Sequence, residues 1–272
     1  MGTKDERGSV KRPLLLAVAT SVAMTLAIAA YAEQQTPGPT PGRGGRGNNA
    51  QPAVPDPPVP RLPDGTVDLD GLWIGGGPVQ DFERQANLEP GDIPLLPSAR
   101  TLMESRRPED DPHAYCLPQG PVRMTPYPYR FIQNTTHKPP RFMFIVMESS
   151  NRSFRQIFMD GRKHPVDPDP TWFGHSIAWW EEDTLVIDSV GFNGKWWFDR
   201  RGHPHTEQLH LIERWTRATF STLEREVTID DPGAYSRPWT TNFTARLGSP
   251  DDEIMEYICI ENNQYGVAGG FR

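Results

Sequence analysis

The chain has 272 residues and a formal net charge of −7. An acidic balance of this kind argues against nucleic acid, because displacing counterions from phosphates needs a basic surface, and equally against an anionic membrane surface. The two cysteines stand far apart in the sequence, which gives no support to a zinc or dithiol redox site.

Lys4, Arg7, Lys11 and Arg12 precede an apolar run from Leu14 to Ala29, and Ala30-Tyr31-Ala32 puts small residues where a signal peptidase reads them. Residues 1–32 therefore read as a secretory signal, cleaved after Ala32; an uncleaved anchor is the alternative, but the run is short of the ~20 residues of a bilayer span. The leader's four basic and two acidic side chains leave −9 for the rest of the chain. The expected location is periplasmic or extracellular, without membrane contact after cleavage. In such a compartment Cys116 and Cys259 are expected to form a disulfide, with two buried free thiols as the alternative; closing so long a loop stabilises by ~4–5 kcal/mol in the chain-entropy account.

Residues 33–63 are rich in Pro, Gly, Gln and Asn and lack the apolar side chains that offset ordering entropy, so they read as a disordered linker. Residues 64–262 make one β domain, followed by a Gly-rich tail at 263–272. Val67 to Ile74 leads into a first strand, whose Gly-x-Trp at Gly71–Trp73 also occurs in lipocalin-like barrels. Leu95 to Arg107 is the one helix candidate, with Ser98 as its cap and Pro108 as its stop. Period-two patterns then predict strands at Arg130–Gln133, Arg141–Met147, Ser153–Met159, Ser176–Trp180, Thr184–Val190, Gln208–Thr216, Leu223–Ile229, Trp239–Leu247 and Ile254–Ile260. The expected fold is mainly β: an antiparallel meander closing into a lipocalin- or calycin-like barrel, with a β-sandwich as the alternative.

Several strings stand in order along residues 66 to 262: DLDGLW, YCLPQGPVRM, FRQIFMDGRKHPVDPDPTWFGHS, WEEDTLVIDSVGFN, DRRGHPHTEQLHLIER, TIDDPGAYSRPWT and EYICIEN. On these the chain resembles a family of secreted bacterial proteins, from acidobacteria and proteobacteria, described only as hypothetical. The resemblance implies no activity; it adds a hint that the two cysteines pair. The chain departs from that pattern at Glu182, where the family has Gly, and at Gly194, where it has a polar residue.

Candidate chemistry concentrates between Pro170 and Arg214, which hold five of the eight tryptophans and four of the seven histidines. If Gly202–Glu207 enters the following strand, His203, His205 and Glu207 share one face. They then form an acid–base group or hold a divalent metal, against the plainer reading of a surface turn. No other cofactor is implied. His175 follows Trp172, Phe173 and Gly174 at a strand entry, as a pocket histidine or as one satisfying buried backbone. The loop holding His164, Asp167 and Asp169 reads as a proline-stiffened turn, with a shaped rim that sets His164 near a carboxylate as the alternative. Asp188 lies inside a strand and Asp199 lies four residues before His203; either can orient a histidine. Trp172, Phe192, Trp196 and Trp197 line a ligand cup or fill the core, and consecutive aromatics at Trp196–Phe198 are not expected all to face one core.

The functional expectation is a secreted lyase, isomerase or hydrolase that works on a small cyclic, aromatic or sugar-like substrate by acid–base chemistry. A non-catalytic small-molecule binding protein and a cell-envelope assembly factor are the competing classes.

Overall fold

The structure, a computed structural model, describes residues 56–89, 91–133, 142–149, 154–257 and 259. The expected leader, most of the linker and the tail lie outside the described residues. Nine strands close one barrel in sequence order: β1 Trp73–Gly75, β2 Tyr129–Gln133, β3 Phe142–Met147, β4 Phe154–Phe158, β5 His175–Glu181, β6 Thr184–Val190, β7 His210–Arg217, β8 Thr222–Asp230 and β9 Trp239–Leu247, with β1 pairing back onto β9. Alternation drives this arrangement. In β9, Trp239, Thr241, Phe243 and Ala245 are buried while Thr240, Asn242, Thr244 and Arg246 are exposed, so one face is consumed by the core and the other meets water. The fold is thus the calycin-like barrel, and the sandwich is set aside.

Four departures from expectation have local causes. The meander is broken once: β4 and β5 run parallel, through Ile157↔Ser176 and Phe158↔Ile177, whereas every other neighbouring pair is antiparallel. The first strand is only three residues long, bounded by Gly71 and Gly76, both at positive φ. The helix spans Pro97–Ser105; its N-cap is Leu96 and Ser98 lies inside the first turn, because Pro97 supplies the fixed φ of an N1 residue and Ser98 is left past the cap position. Residues 254–257 of the expected last strand are not in a strand, and 258 and 260 lie outside the described residues. Pro97–Ser105 is α2; short helices Phe82–Gln85 (α1) and Gly120–Arg123 (α3) flank it.

The β5–β6 hairpin turns over Glu182 and Asp183, and Glu182 adopts a φ of 53°, the left-handed region that costs a side-chain-bearing residue ~1 kcal/mol. Trp73 is fully buried, its indole N–H donates to Leu69 O at 2.9 Å, and the Arg217 guanidinium lies 4.9 Å from its ring centroid. Cys116 and Cys259 form the disulfide, with Cα atoms 5.6 Å apart across a separation of 143 residues.

The interior divides into two apolar clusters. One gathers Trp73, Tyr129, Ile145, Leu185 and Trp215; the other gathers Phe82, Phe192, Trp196, Val227, Trp239 and Phe243. Inward positions between them are charged. Glu213 on β7 is paired with Arg155 of β4 and Arg225 of β8, all three essentially without solvent contact. Arg155 also donates to Ser176 Oγ at 3.1 Å and Ser189 Oγ at 2.7 Å, while Arg225 reaches Gly76 O at 2.8 Å and Pro121 O at 3.2 Å. Burial pushes the Glu213 carboxyl up, but the two guanidiniums outweigh it and hold the group below the usual carboxylate range. Glu213→Gln leaves two buried cations without their counter-charge, so it is expected to cost roughly 3–5 kcal/mol in urea unfolding; a loss below ~1 kcal/mol contradicts this account.

Candidate functional site

A parallel neighbour cannot be reached by a tight hairpin, so the chain leaving β4 must travel back before β5 starts. Residues 159–174 make that return over the outer wall of the barrel. Asp160 holds Arg162 at 2.7 Å, and prolines at 165, 168 and 170 stiffen the rest of the return. Thr171 then bridges in parallel to Phe192. Gly174 has a φ of 65°, and a Cβ there would meet Val190 O at 2.5 Å, so only glycine passes this point. The return roofs a pocket of about 330 Å³ whose walls include Phe154, Gln156 and Phe158 of β4, Phe173, and His175 at the start of β5.

His175 is the end of a hydrogen-bonded chain. Its Nδ1 lies 2.8 Å from His164 Nδ1, His164 Nε2 lies 3.2 Å from Asp188 Oδ1, and His210 Nε2 lies 2.7 Å from the same oxygen. Burial raises the Asp188 carboxyl, but the bonds and charges of His210 and His164 overcome this and keep it below its ordinary range. An ionised carboxylate only accepts, so His164 Nε2 is the donor toward Asp188, and with a neutral His164 ring the rest of the chain follows. His164 donates from Nε2 and accepts at Nδ1; His175 donates from Nδ1 and keeps its lone pair on Nε2. The His175 ring stacks on Phe158, centroids 5.1 Å apart and planes 21° apart. Burial first, then the proximity of His164 and Arg162, lowers the His175 pKa, so the ring is neutral and able to accept a proton near pH 7.

The bond to Asp188 raises His210 above the usual imidazole value, and partial burial opposes it. In an NMR titration His210 is expected to titrate above ~6.5, and Asp188→Asn is expected to bring it down to or below that value. Identical titrations in the two proteins refute the pairing.

The Gly202–Glu207 segment is built differently from the expectation. It is a loop, with no strand before His210, so alternation does not apply: His203 and His205 are buried while Glu207 is exposed. The loop is pinned instead by Thr206, whose N–H and hydroxyl both donate to Asp231 at 2.6 Å. Asp199 does orient His203, Oδ2 to Nδ1 at 2.6 Å, and it also accepts from the backbone N–H groups of Phe82, Gly202 and His203. Burial raises the Asp199 carboxyl, and the His203 bond more than reverses this. This is a buried hub joining the loop to α1. His205 lies against Trp196, ring centroids 3.9 Å apart, inside the second apolar cluster.

Phe192, Trp196, Trp197 and Phe198 are all buried. Trp196 and Phe198 face the cluster, and Trp197 between them is covered from the other side by Arg106, 4.7 Å from its ring centroid. Three consecutive aromatics are accommodated because an arginine supplies the second surface. Trp172 packs partly buried on the same cluster. The expected cup is therefore a core, and the pocket is walled by Phe173, which the sequence sets beside His175, and by Phe154 and Phe158, which the sequence marks only as strand residues. Of the expected site residues, His175 and Asp188 come together through His164; His203, His205 and Asp199 form a separate buried group, and Glu207 belongs to neither.

Burial lowers the His205 imidazole to about 3, so the folded protein keeps it neutral. Nothing is lost while both states are neutral, but below ~6.5 the unfolded chain takes up the proton first, and by pH 5 this removes about 2 kcal/mol of stability. His205→Phe retains the aromatic contact and is expected to shrink the stability difference between pH 7 and pH 5 by that amount in urea titrations.

Among the described residues, no three His, Cys, Asp or Glu side chains are grouped to hold a metal ion, and no helix is long and apolar enough to cross a membrane. Comparison with protein-family models, curated proteins and solved structures yields no match for this chain.

Proposed function

We propose that the chain is an exported acid–base enzyme of the lyase, isomerase or hydrolase type. Its base is His175, and its substrate is a small ring-containing molecule seated in the pocket under residues 159–174. The observation that carries this reading is the His175–His164–Asp188 chain, which is hydrogen-bonded in one direction and ends on a pocket wall. A proton taken from substrate or water by His175 Nε2 turns that ring into a cation. Its Nδ1 proton can then pass to His164 Nδ1, placing the positive charge beside ionised Asp188. The reacting centre thus loses its proton without leaving an isolated charge against Phe158 and Phe173. A base so placed contributes typically ~10²–10⁴ in rate. Export rests on the leader and agrees with the disulfide, which persists in oxidising compartments.

A non-catalytic binding protein is the second reading, favoured by the apolar share of the walls: Phe154, Phe158, Phe173, Pro165 and Pro168. A metabolite pull-down with the folded domain, read by mass spectrometry, identifies the ligand, and turnover of that ligand separates the two readings. His175→Ala is expected to lower kcat at least a hundredfold while unfolding at the same urea midpoint; unchanged turnover removes His175 from the mechanism.

A further inference from the structure

The outer face of β3 contrasts with that of β8 and β9. On β8 and β9 the outward side chains are Thr222, Glu224, Glu226, Thr228, Asp230, Thr240, Asn242, Thr244 and Arg246, a wetted surface. On β3 they are Phe142, Phe144 and Val146, while Met143, Ile145 and Met147 point into the core. A strand that is apolar on both sides is expected to be covered on both sides. Its neighbours extend the apolar surface: Ile132 of β2 lies opposite Phe144 and is 45 % exposed, and Phe154 of β4 lies opposite Val146 and is 57 % exposed. The rings are in contact as a ladder, with Phe142 and Phe144 centroids 5.2 Å apart and Phe144 and Phe154 5.5 Å apart.

This wall is continuous with the pocket, since Phe154 and Phe158 belong to both and Phe158 is the ring on which His175 stacks. Its size selects the occupant. Four residue steps along a strand cover ~14 Å, and three strands span ~10 Å between outer axes. On that footprint stand Phe142, Phe144, Val146, Ile132 and Phe154, several-fold fewer than the ~20–30 residues a side of a stable protein interface. The footprint matches one elongated small molecule. Phe154, Phe144 and Ile132 offer no charge to a ligand's tail; the charged groups stand at the margins, with Arg130 opposite Val146 and held by Asp70 at 3.4 Å, and Arg162 over the Phe158 ring, while Gln156 opposite Phe144 is neutral.

We infer that the pocket and the β3–β4 outer wall form one binding site for a neutral molecule with a ring at one end and an apolar tail. The ring lies beside His175, and the tail lies over Phe154, Phe144 and Ile132. The inference rests on the reading of the pocket as the substrate site and specifies the substrate's class: an amphipathic or wholly apolar compound longer than a single ring, whose reacting group enters first. Phe144 and Ile132 then set specificity without touching the reacting atoms.

The test uses N-phenyl-1-naphthylamine, a neutral two-part aromatic probe that fluoresces when shielded from water, with the exported, disulfide-bonded protein. Binding is expected, together with a shift of the His175 ring resonance on addition of the probe. Phe144→Thr and Ile132→Thr, each checked for native near-UV circular dichroism, are expected to weaken binding about tenfold, while Thr240→Ser on the polar wall leaves it unchanged. If Phe144→Thr fails to fold, Ile132→Thr alone decides. No binding, or binding indifferent to both variants, overturns the inference. So does binding that is weakened by them but leaves the His175 resonance in place, since the wall is then separate from the pocket. Self-association of the wild type that Phe144→Thr abolishes overturns it too, by assigning the wall to a second copy. None of these measurements needs turnover, so a failure of the catalytic reading shows separately, as an active His175→Ala protein.

Discussion

Glu213 between Arg155 and Arg225 is the constraint on which the barrel depends. Three strands that are not all neighbours, β4, β7 and β8, each send one charged side chain to the same buried layer, and none can be withdrawn without stranding another. The layer separates the two apolar clusters and fixes the relative height of strands whose apolar side chains alone permit slippage. A one-residue slip of β7 would turn Glu213 out to water and bring Arg214 in beside two arginines, a penalty far larger than any loss of packing. The layer also accounts for Ser176 and Ser189, small hydroxyls that admit the Arg155 guanidinium where a larger apolar residue would exclude it.

The same strand that carries Arg155 inward carries Phe154, Gln156 and Phe158 outward into the pocket. Core and site are therefore two faces of β4. Its parallel partnership with β5 is what creates the site: the return across the outer wall brings His164 over the sheet and lets it meet His175 and Asp188, which stand on adjacent strands two registers apart. An ordinary hairpin between β4 and β5 would leave Asp188 and His210 as a plain surface pair.

Alternation made most of the strands legible, because a period of two with one wet face leaves little freedom in boundary or direction. It also held the polar layer in plain view. Glu213 has the parity of Leu211 and Trp215, Arg225 that of Leu223 and Val227, and Arg155 that of Ile157, so three inward charges could be read before any of them had a partner. The parallel step was not legible, since neither β4 nor β5 records the direction of its neighbour in its own composition. The His-Pro-His segment was misplaced for the opposite reason: alternation was extended into residues that Pro204 and the Thr206–Asp231 bonds hold in a loop. His164, His175 and Asp188 were each visible as polar residues in unusual positions. Their union was not visible, because it is made by a crossover and not by spacing.

The disulfide has a topological consequence. Joining Cys116 to Cys259 turns the chain between them into a covalent ring that contains every strand from β2 to β9 and leaves β1 outside. Yet β1 is the strand that closes the barrel, through three residue pairs to β9 and a single pair, Trp73↔Tyr129, to β2. Eight strands thus form a tethered sheet, and a three-residue strand from beyond the tether works as its latch. The covalent ring holds the ends of eight strands together, while closure of the cylinder is left to the non-covalent pairing of β1 and the burial of Trp73.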